Sequence, residues 1–197
     1  NGAGKTTFYR MILDLIRPTH GTVLSKGIDV RTTEEWKFYT GSFLDESFLI
    51  DYLTPDEYFE FVGSLHNYSP GDMKEFLGQF EALFNGEITG KKKYIRDLSK
   101  GNQKKVGIAA ALMGSPEVIL LDEPFANLDP TTQIRLKDLL RDLKEKYQLT
   151  MLISSHDLNH VTEVCERIVL LEKGEVKQDI KTSASTLKDL EEYFATY

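Results

Sequence analysis

Apolar positions along this chain recur with two periods, one typical of amphipathic helices and one typical of short buried strands. Residues 4–16 have apolar side chains at helical spacing ahead of Pro18, which predicts a first helix. Residues 21–30 predict a hairpin with its turn at Ser25-Lys26-Gly27, and residues 130–147 predict a long helix with a polar face. Three short continuous apolar runs predict strands buried in a sheet: 118–121, 149–153 and 168–171.

Two segments in the middle of the chain have the composition of helix starts. Thr54 is followed by Pro55 and then by Glu57, the residue types preferred at the N-cap, the first position and the third position of a helix. Residues 69–72 repeat this design with Ser, Pro, Gly and Asp, so we expect a helical block over residues 55–84. Because helices and strands alternate through most of the chain, the predicted fold class is α/β, with helices covering a mainly parallel sheet.

Composition narrows the classes of protein to which the chain can belong. Its 197 residues are enough for one domain with a sizeable core, and 41% apolar and 28% charged residues are ordinary for a globular protein. The longest nearly continuous apolar stretch, residues 106–113, is far shorter than the roughly 18 residues that span a bilayer, so a membrane role would need a partner protein. Cys165 is the single cysteine, which excludes an internal disulfide and fits a reducing cytosol.

The charge balance argues against a nucleic-acid partner. The formal net charge is −7, whereas nucleic-acid-binding domains usually carry a basic face. Residues 91–93 are three consecutive lysines, and we interpret this dense basic cluster as a solvated loop in preference to a phosphate-binding patch.

The start of the chain carries a phosphate-binding pattern. It matches G-x-x-x-x-G-K-[ST] except for the first glycine, which would lie just before residue 1. Backbone N–H groups in such a loop surround a phosphate at the positive end of a helix, Lys5 would neutralise the β- and γ-phosphates of ATP, and the Thr6 hydroxyl would hold Mg²⁺. A glycine-rich turn ahead of a helix is the alternative. The predicted nucleotide-binding residues are Asn1, Gly2, Ala3, Gly4, Lys5, Thr6 and Thr7.

Two carboxylates follow the predicted strand at residues 118–121. In open α/β sheets ligands bind at the carboxyl ends of strands, so Asp122 is placed to hold Mg²⁺, often through water, and Glu123 to polarise an attacking water. Strand ends are often acidic for other reasons, and it is the pairing with the phosphate-binding loop that makes this interpretation strong.

The order of the motifs resembles the nucleotide-binding domain of ATP-binding cassette (ABC) transporters. The similarity covers essentially the whole chain. The family signature is usually Leu-Ser-Gly-Gly-Gln, and residues 98–102 occupy its place. This segment keeps Ser99 and Gly101 but has Lys100 in place of the first glycine and Asn102 in place of the glutamine. The segments that carry it are Gly4-Lys5-Thr6, Leu98-Ser99-Lys100-Gly101-Asn102, Asp122-Glu123-Pro124, Asn127-Leu128-Asp129 and His156.

The resemblance implies roles for several single residues. Ser99 and the backbone around Gly101 would bind the γ-phosphate of ATP held by a second ATP-binding subunit, and Asp129 would belong to the loop that communicates across that dimer. His156 would contact the γ-phosphate and the attacking water, although a lone histidine after a strand is otherwise more often structural. Asp45 stands where the family usually has a glutamine that ligates Mg²⁺, and it would reach the ion directly, through water or not at all. The remaining histidines match no motif and are expected to be structural: His20, His66 and His160.

The implied architecture is a P-loop NTPase core with an inserted helical subdomain at about residues 45–103, in a natural protein that begins some tens of residues earlier. The implied function is ATP hydrolysis that powers transport through a separate membrane permease, with the chain cytoplasmic and membrane-associated only through that permease. The signature variant and residues 53–58 are most like those of exporters. The alternatives are a soluble ABC ATPase unconnected with transport, and a regulatory module that binds nucleotide without hydrolysing it, against which Glu123 argues.

An apolar cluster in the loop before Thr54 leaves two interpretations open. Phe48, Leu49 and Tyr52 would either pack into the core of the helical insert or form a partly exposed patch that receives a short helix of the permease.

Overall fold

A computed structural model describes residues 2–195, and within them helices and strands alternate as the sequence predicts. The part of the chain before residue 34 and the part after residue 152 form one compact unit, and residues 34–152 form the other. In chain order the elements are α1 (Lys5–Ile12), β1 (Leu24–Ser25), β2 (Ile28–Asp29), β3 (Thr40–Phe43), α2 (Pro55–Leu65), α3 (Pro70–Gly78), α4 (Glu81–Phe84), α5 (Lys100–Ala111), β4 (Val118–Asp122), α6 (Pro130–Tyr147), β5 (Thr150–Ser154), α7 (Leu158–Val164), β6 (Arg167–Glu172), β7 (Glu175–Lys181) and α8 (Thr186–Ala195).

Helix α1 is shorter than the prediction for residues 4–16. Asp14 adopts the left-handed conformation with φ of 50°. Its N–H donates to Met11 O at 3.2 Å, and the Leu15 N–H donates to Arg10 O at 2.9 Å, which is the bonding pattern of a Schellman helix end. The predicted C-terminal end of this helix is therefore wrong, because a left-handed residue ends the helix while the apolar spacing continues past it.

The first unit also contains two antiparallel hairpins. Strands β1 and β2 pair through a two-residue turn in which Lys26 and Gly27 both have positive φ, as hairpin turns of this length require, so the predicted hairpin is confirmed. Strands β6 and β7 pair in the same way around a turn at Lys173 and Gly174. The strand predicted at 168–171 exists, but the prediction that it is buried is wrong: Val169 is 51% exposed because β6 is a hairpin strand with one open face.

A parallel strand pair forms the centre of the second unit. Strand β3 pairs with β4 in parallel, with Phe43 opposite Leu121, and β5 lies on the other side of β4. The three apolar residues in the middle of β4 are fully buried, as predicted for a strand covered on both faces. Strand β5 begins one residue later than predicted, where the Thr150 N–H donates to Glu117 O at 2.9 Å.

The helical block predicted for residues 55–84 consists of α2, α3 and α4. Thr54 and Glu57 form a reciprocal capping box: the Thr54 N–H donates to Glu57 Oε2 at 2.8 Å and the Glu57 N–H to Thr54 Oγ1 at 3.3 Å. Three buried rings pack α2 against α4: Phe59 of α2, Phe84 of α4 and Phe80, the N-cap residue of α4. The ring centroids of Phe59 and Phe84 are 5.9 Å apart, and those of Phe80 and Phe84 are 5.6 Å apart.

Helix α5 is the buried helix of the second unit and positions much of the site. It packs on β3 at Gly107, where a Cβ atom would come within 2.1 Å of the Phe43 ring, so no larger residue fits there. Helix α6 has the predicted bounds, 130–147. None of the helices described in residues 2–195 is long and apolar enough to cross a membrane.

Candidate functional site

The predicted phosphate-binding loop opens helix α1 in the first unit. Gly4 is the N-cap residue and has φ of 102°, a conformation that strongly favours glycine. The first turn contains no acidic residue and begins with Lys5, Thr6 and Thr7, of which the two threonines are exposed. A basic, solvent-accessible helix start of this kind fits an anionic phosphate. Asn1, also predicted to bind nucleotide, lies outside the described residues.

The turn between β6 and β7 supports this loop from within the same unit. The Gly174 N–H donates to Ala3 O at 2.9 Å, and the backbone of Gly174 lies against Gly4. This contact fixes the carbonyl of Ala3 and leaves the loop anchored to a hairpin more than 160 residues further along the chain. The sequence signals the turn through Lys173-Gly174, but gives no sign of its partner.

His156 belongs to the first unit and lies two residues after the end of β5. Its side chain is exposed, so it is accessible to a ligand. Asp157, the next residue, caps α7 by accepting a hydrogen bond from the Asn159 N–H at 2.9 Å, which fixes the backbone beside His156. His160, one turn along α7, lies with Nε2 3.6 Å from Asp157 Oδ2, a position that fits its expected structural role.

The two predicted catalytic carboxylates end β4 in the second unit. Asp122 is only 6% exposed, and a carboxylate in that setting requires compensating hydrogen bonds or a cation. Glu123 is half-buried and has φ of 48°, the left-handed region that a glutamate seldom adopts. A hard oxygen ligand at this strand end suits Mg²⁺, which is usually bound by one or two protein ligands together with phosphate oxygens. Within residues 2–195 no group of three or more His, Cys, Asp or Glu side chains forms a metal cage of its own.

The loop after β4 is held from two helices. Lys104 of α5 donates from Nζ to Glu123 O at 2.7 Å and to Ala126 O at 2.9 Å. Gln133 of α6 donates from Nε2 to Phe125 O at 3.1 Å, and the Phe125 side chain is fully buried. The position of Glu123 is therefore determined by contacts on both sides of the loop. Sequence reasoning missed Lys104, because a lysine next to the signature has no distinguishing local pattern.

Burial lowers the pKa of Lys104, and this is the largest effect on that group. The carboxylates of Glu46, Glu123 and Asp122 act in the opposite direction, since negative charges nearby favour the ammonium form.

The signature segment forms the start of α5. Ser99 is the N-cap residue and accepts a hydrogen bond from the Asn102 N–H at 3.2 Å, while its hydroxyl proton can still be donated. The first turn has no acidic residue, and Ser99 and Lys100 are exposed, which suits an anion. A Cβ atom at Gly101 would lie 3.2 Å from Asn127 O, so the helix start packs closely on the loop that follows β4.

Asp129 and Asp45 both serve as caps in the second unit. Asp129 begins α6 and accepts hydrogen bonds from the Thr132 hydroxyl at 2.5 Å and the Thr132 N–H at 3.1 Å, and these bonds lower the pKa of the Asp129 carboxyl. Asp45 accepts from the Ser47 N–H at 2.7 Å at the start of a short 3₁₀ helix, Glu46–Phe48. Because β3 and β4 are parallel neighbours, Asp122 at the end of β4 and Asp45, two residues after β3, lie at the same edge of the sheet.

The site residues are thus divided between the two units. The phosphate-binding loop and His156 belong to the first unit. The second unit contains the others: Asp45, Ser99, Gly101, Asp122, Glu123 and Asp129.

Comparisons with known proteins agree on one family. A family model described as ABC transporter matches residues 1–126. An uncharacterized ABC transporter ATP-binding protein of Synechocystis is 35% identical over 179 residues, which are 89% of this chain and 49% of that protein. The ABC transporter ATP-binding protein NatA of Bacillus subtilis is 34% identical over 178 residues, 89% of this chain and 72% of NatA. The chain spans about half the length of several relatives that it matches.

A solved structure and a further relative extend the comparison. The dimer of the ATP-binding cassette MJ0796 in a post-hydrolysis state, bound to ADP and Pi, superposes with a TM-score of 0.76 at 28% identity, over 92% of this chain and 82% of that chain. The methionine import ATP-binding protein MetN of Carboxydothermus hydrogenoformans is 29% identical over 184 residues, 91% of this chain and 54% of MetN.

Proposed function

This chain belongs to the ABC transporter family of ATP-binding domains, and from that premise we propose that it binds and hydrolyses ATP to power transport through a separate membrane permease. The observation that carries the proposal is the start of α1, where a left-handed Gly4 leads into a first turn that has Lys5 and Thr6 and no acidic residue. A phosphate chain is the ligand that such a helix start fits best.

The phosphate-binding loop holds the nucleotide in this proposal. Backbone N–H groups of residues 2–7 point at the phosphates, and Lys5 places a positive charge against the β- and γ-phosphate oxygens. Mg²⁺ would be held by the Thr6 hydroxyl and the Asp122 carboxylate, with Asp45 as a further candidate ligand, and would neutralise charge on the phosphate oxygens.

Glu123 and His156 act on the attacking water. The Glu123 carboxylate accepts a hydrogen bond from the water and takes its proton as the water attacks the γ-phosphorus. The bond from the γ-phosphorus to its bridging oxygen breaks, and ADP leaves with that oxygen. His156 contacts the γ-phosphate and the attacking water. Catalysis comes mainly from positioning and from neutralising charge, as in other phosphoryl transfers. The two contacts that hold the loop of Glu123, from Lys104 and Gln133, support this role because they limit the movement of the loop.

A second copy or a related subunit completes each site. Ser99 and the backbone near Gly101 offer an exposed, basic helix start that would bind the γ-phosphate of ATP on the opposite subunit, with Asp129 in the loop between the two sites. The solved dimer of the similar cassette MJ0796, bound to ADP and Pi, supports an assembly of this kind.

Export is the direction that we propose for transport, on the basis of the signature variant and residues 53–58. Import is the alternative that the similarity to MetN favours, and the transported substrate would be selected by the permease. A soluble ATPase without a permease is the second candidate function.

The permease would dock on a helical insert at about residues 45–103. Phe48 is 51% exposed and Tyr52 is 63% exposed, while Leu49 is buried. Two of the three apolar side chains are therefore available to a partner, and exposed aromatic residues are typical of contact surfaces.

The test compares ATPase activity of the full-length protein alone and with its permease in lipid vesicles. A transport subunit should be stimulated by the permease, and the Phe48→Ser/Tyr52→Ser variant should lose the stimulation while it keeps the activity measured without permease. Ile134→Ser, which removes an exposed apolar residue of α6, is the matched control and should keep the stimulation. Equal activity with and without the permease would favour the soluble ATPase.

A further inference from the structure

Helix α5 carries three consecutive polar side chains that are buried among apolar ones: Gln103, Lys104 and Lys105. Each bonds to a different part of the second unit. Gln103 Nε2 donates to the carbonyl of Ile95 at 2.9 Å in the segment before the signature, and Lys105 Nζ pairs with Glu87 Oε2 at 3.0 Å. Lys104 alone of the three reaches the loop that contains the proposed catalytic carboxylate.

The burial of Lys104 needs a specific explanation. Its side chain is 4% exposed, and an ammonium group in such a setting is unfavourable unless it is hydrogen-bonded or paired. An apolar side chain of similar length would fill the same space without that cost. The Lys104 ammonium donates two short hydrogen bonds, both to main-chain carbonyls. The charged group therefore stabilises the backbone of residues 123–126.

Those carbonyls belong to a turn that is conformationally unusual. Glu123 has φ of 48° and Asn127 has φ of 62°, and the Ala126 N–H donates back to Glu123 O at 3.2 Å. A left-handed glutamate persists only where the surrounding structure holds it. Lys104 bonds to both ends of this turn, at Glu123 and at Ala126, and thereby opposes its opening.

The same helix also presents the signature. Ser99 caps its first turn, and Gly101 lies close enough to Asn127 that a Cβ atom there would be 3.2 Å from the Asn127 carbonyl. Helix α5 therefore contacts the 123–127 loop twice, once through Gly101 and once, a turn later, through Lys104.

We propose that Lys104 is a positioning residue that fixes the Glu123 turn and ties it to the signature helix, so that γ-phosphate contact at Ser99 in one site is linked to the orientation of Glu123 in the other. The proposal rests on the proposed function, because it assigns a role in ATP hydrolysis. Lys104 itself touches neither nucleotide nor water in this role. It acts through the backbone of residues 123–126.

The test measures ATPase kinetics and nucleotide affinity of full-length Lys104→Met, which keeps the length of the side chain and removes its donors. A displaced Glu123 should lower kcat by about 10- to 100-fold, the range expected when a reacting group moves by roughly 1 Å, with KM and the Kd for ATP within about threefold of wild type. Lys104→Arg retains charge and donors and should recover part of kcat.

Lys105→Met is the matched control, because it removes a neighbouring buried ammonium that bonds to Glu87 and not to the loop. It should keep kcat near the wild-type value. Melting temperatures of the variants separate loss of folding from loss of positioning, and Lys104→Leu, which also lacks donors, replaces the Met variant if the latter does not fold. A kcat for Lys104→Met or Lys104→Leu equal to that of Lys105→Met would overturn the role of Lys104, whereas an inactive wild type would instead overturn the proposed ATPase.

Discussion

The two carboxylates at the end of β4 differ in burial, and this difference suits them to different chemical roles. Asp122 is almost completely buried, whereas Glu123 is half-buried at the first position of the loop. A buried carboxylate suits a fixed ligand of a cation, and a more accessible one suits proton transfer with water. The difference in burial therefore supports separate proposed roles for these adjacent carboxylates, with Asp122 as a Mg²⁺ ligand and Glu123 as the proton acceptor.

Glu123→Gln should leave ATP binding intact and lower the rate of hydrolysis by at least about two orders of magnitude, the usual effect of removing a positioned base. The amide cannot take a proton from water, while the loop contacts of the Glu123 carbonyl are unchanged. Single-turnover hydrolysis by the full-length variant measures the effect, with the exposed Glu60→Gln of α2 as control. Turnover near the wild-type rate would remove Glu123 from the mechanism.

Lys5→Ala should weaken the binding of ATP itself, because the positive charge that it deletes is proposed to face several phosphate oxygens. Lys26→Ala is a suitable control, since Lys26 is an exposed lysine in the hairpin turn of the same unit. Equilibrium titration with a fluorescent ATP analogue compares the two variants. Unchanged affinity in Lys5→Ala would mean that this loop does not hold phosphate.

At the scale of elements, the helix starts are the features whose stability is most easily tested. The Thr54 hydroxyl and the Glu57 carboxylate satisfy backbone N–H groups at the start of α2 that would otherwise lack partners within the helix. The bond from the Thr54 N–H lowers the pKa of the Glu57 carboxyl. Because a lowered folded-state pKa adds stability above the ordinary pKa, this contribution is lost as the pH falls through the folded-state pKa.

Thr54→Ala should lower the free energy of unfolding by about 1 kcal/mol, the typical effect of losing an N-cap side chain. Urea titration of the full-length protein measures the change at neutral pH. Thr54→Ser keeps the hydroxyl and should retain most of the stability. Equal losses for Ala and Ser would show that packing of the threonine methyl group, rather than capping, stabilises this helix start.

Elements marked by characteristic residue types at a few neighbouring positions are predictable from this sequence, and features set by backbone conformation or by distant contacts are not. Local patterns predict the capping box of Thr54 and Glu57, a second one formed by Ser69 and Asp72 at the start of α3, and the bounds of α6. The early end of α1 depends on the left-handed conformation of Asp14, and the exposure of β6 depends on what covers its faces. Apolar spacing reports neither.

The site shows the same division. The order of the motifs predicts the phosphate-binding loop and the carboxylates of β4, since each is a short segment with its own chemistry. The loop contacts of Lys104 join residues 19 and 22 positions apart, and the contact of Gly174 with Ala3 joins opposite ends of the chain. Only the folded structure brings these residues together.

At the scale of the whole molecule, the site residues are distributed over two units, and the proposed reaction also needs a second subunit. A phosphate-binding loop by itself leaves one side of the γ-phosphate open to water, which weakens electrostatic stabilisation of the charge that develops there. The exposed start of α5, with Ser99 as its cap, is the group proposed to close that side from the opposite subunit.

Mixing two inactive full-length variants tests ATP hydrolysis at a shared site most directly. Lys5→Ala lacks a working phosphate-binding loop and Ser99→Arg lacks a working signature, so each homodimer should be inactive. A mixed dimer has one site that combines an intact loop with an intact signature from the other subunit, and the mixture should therefore regain part of the wild-type ATPase activity. An inactive mixture in which heterodimers are shown to form would contradict a site shared between subunits.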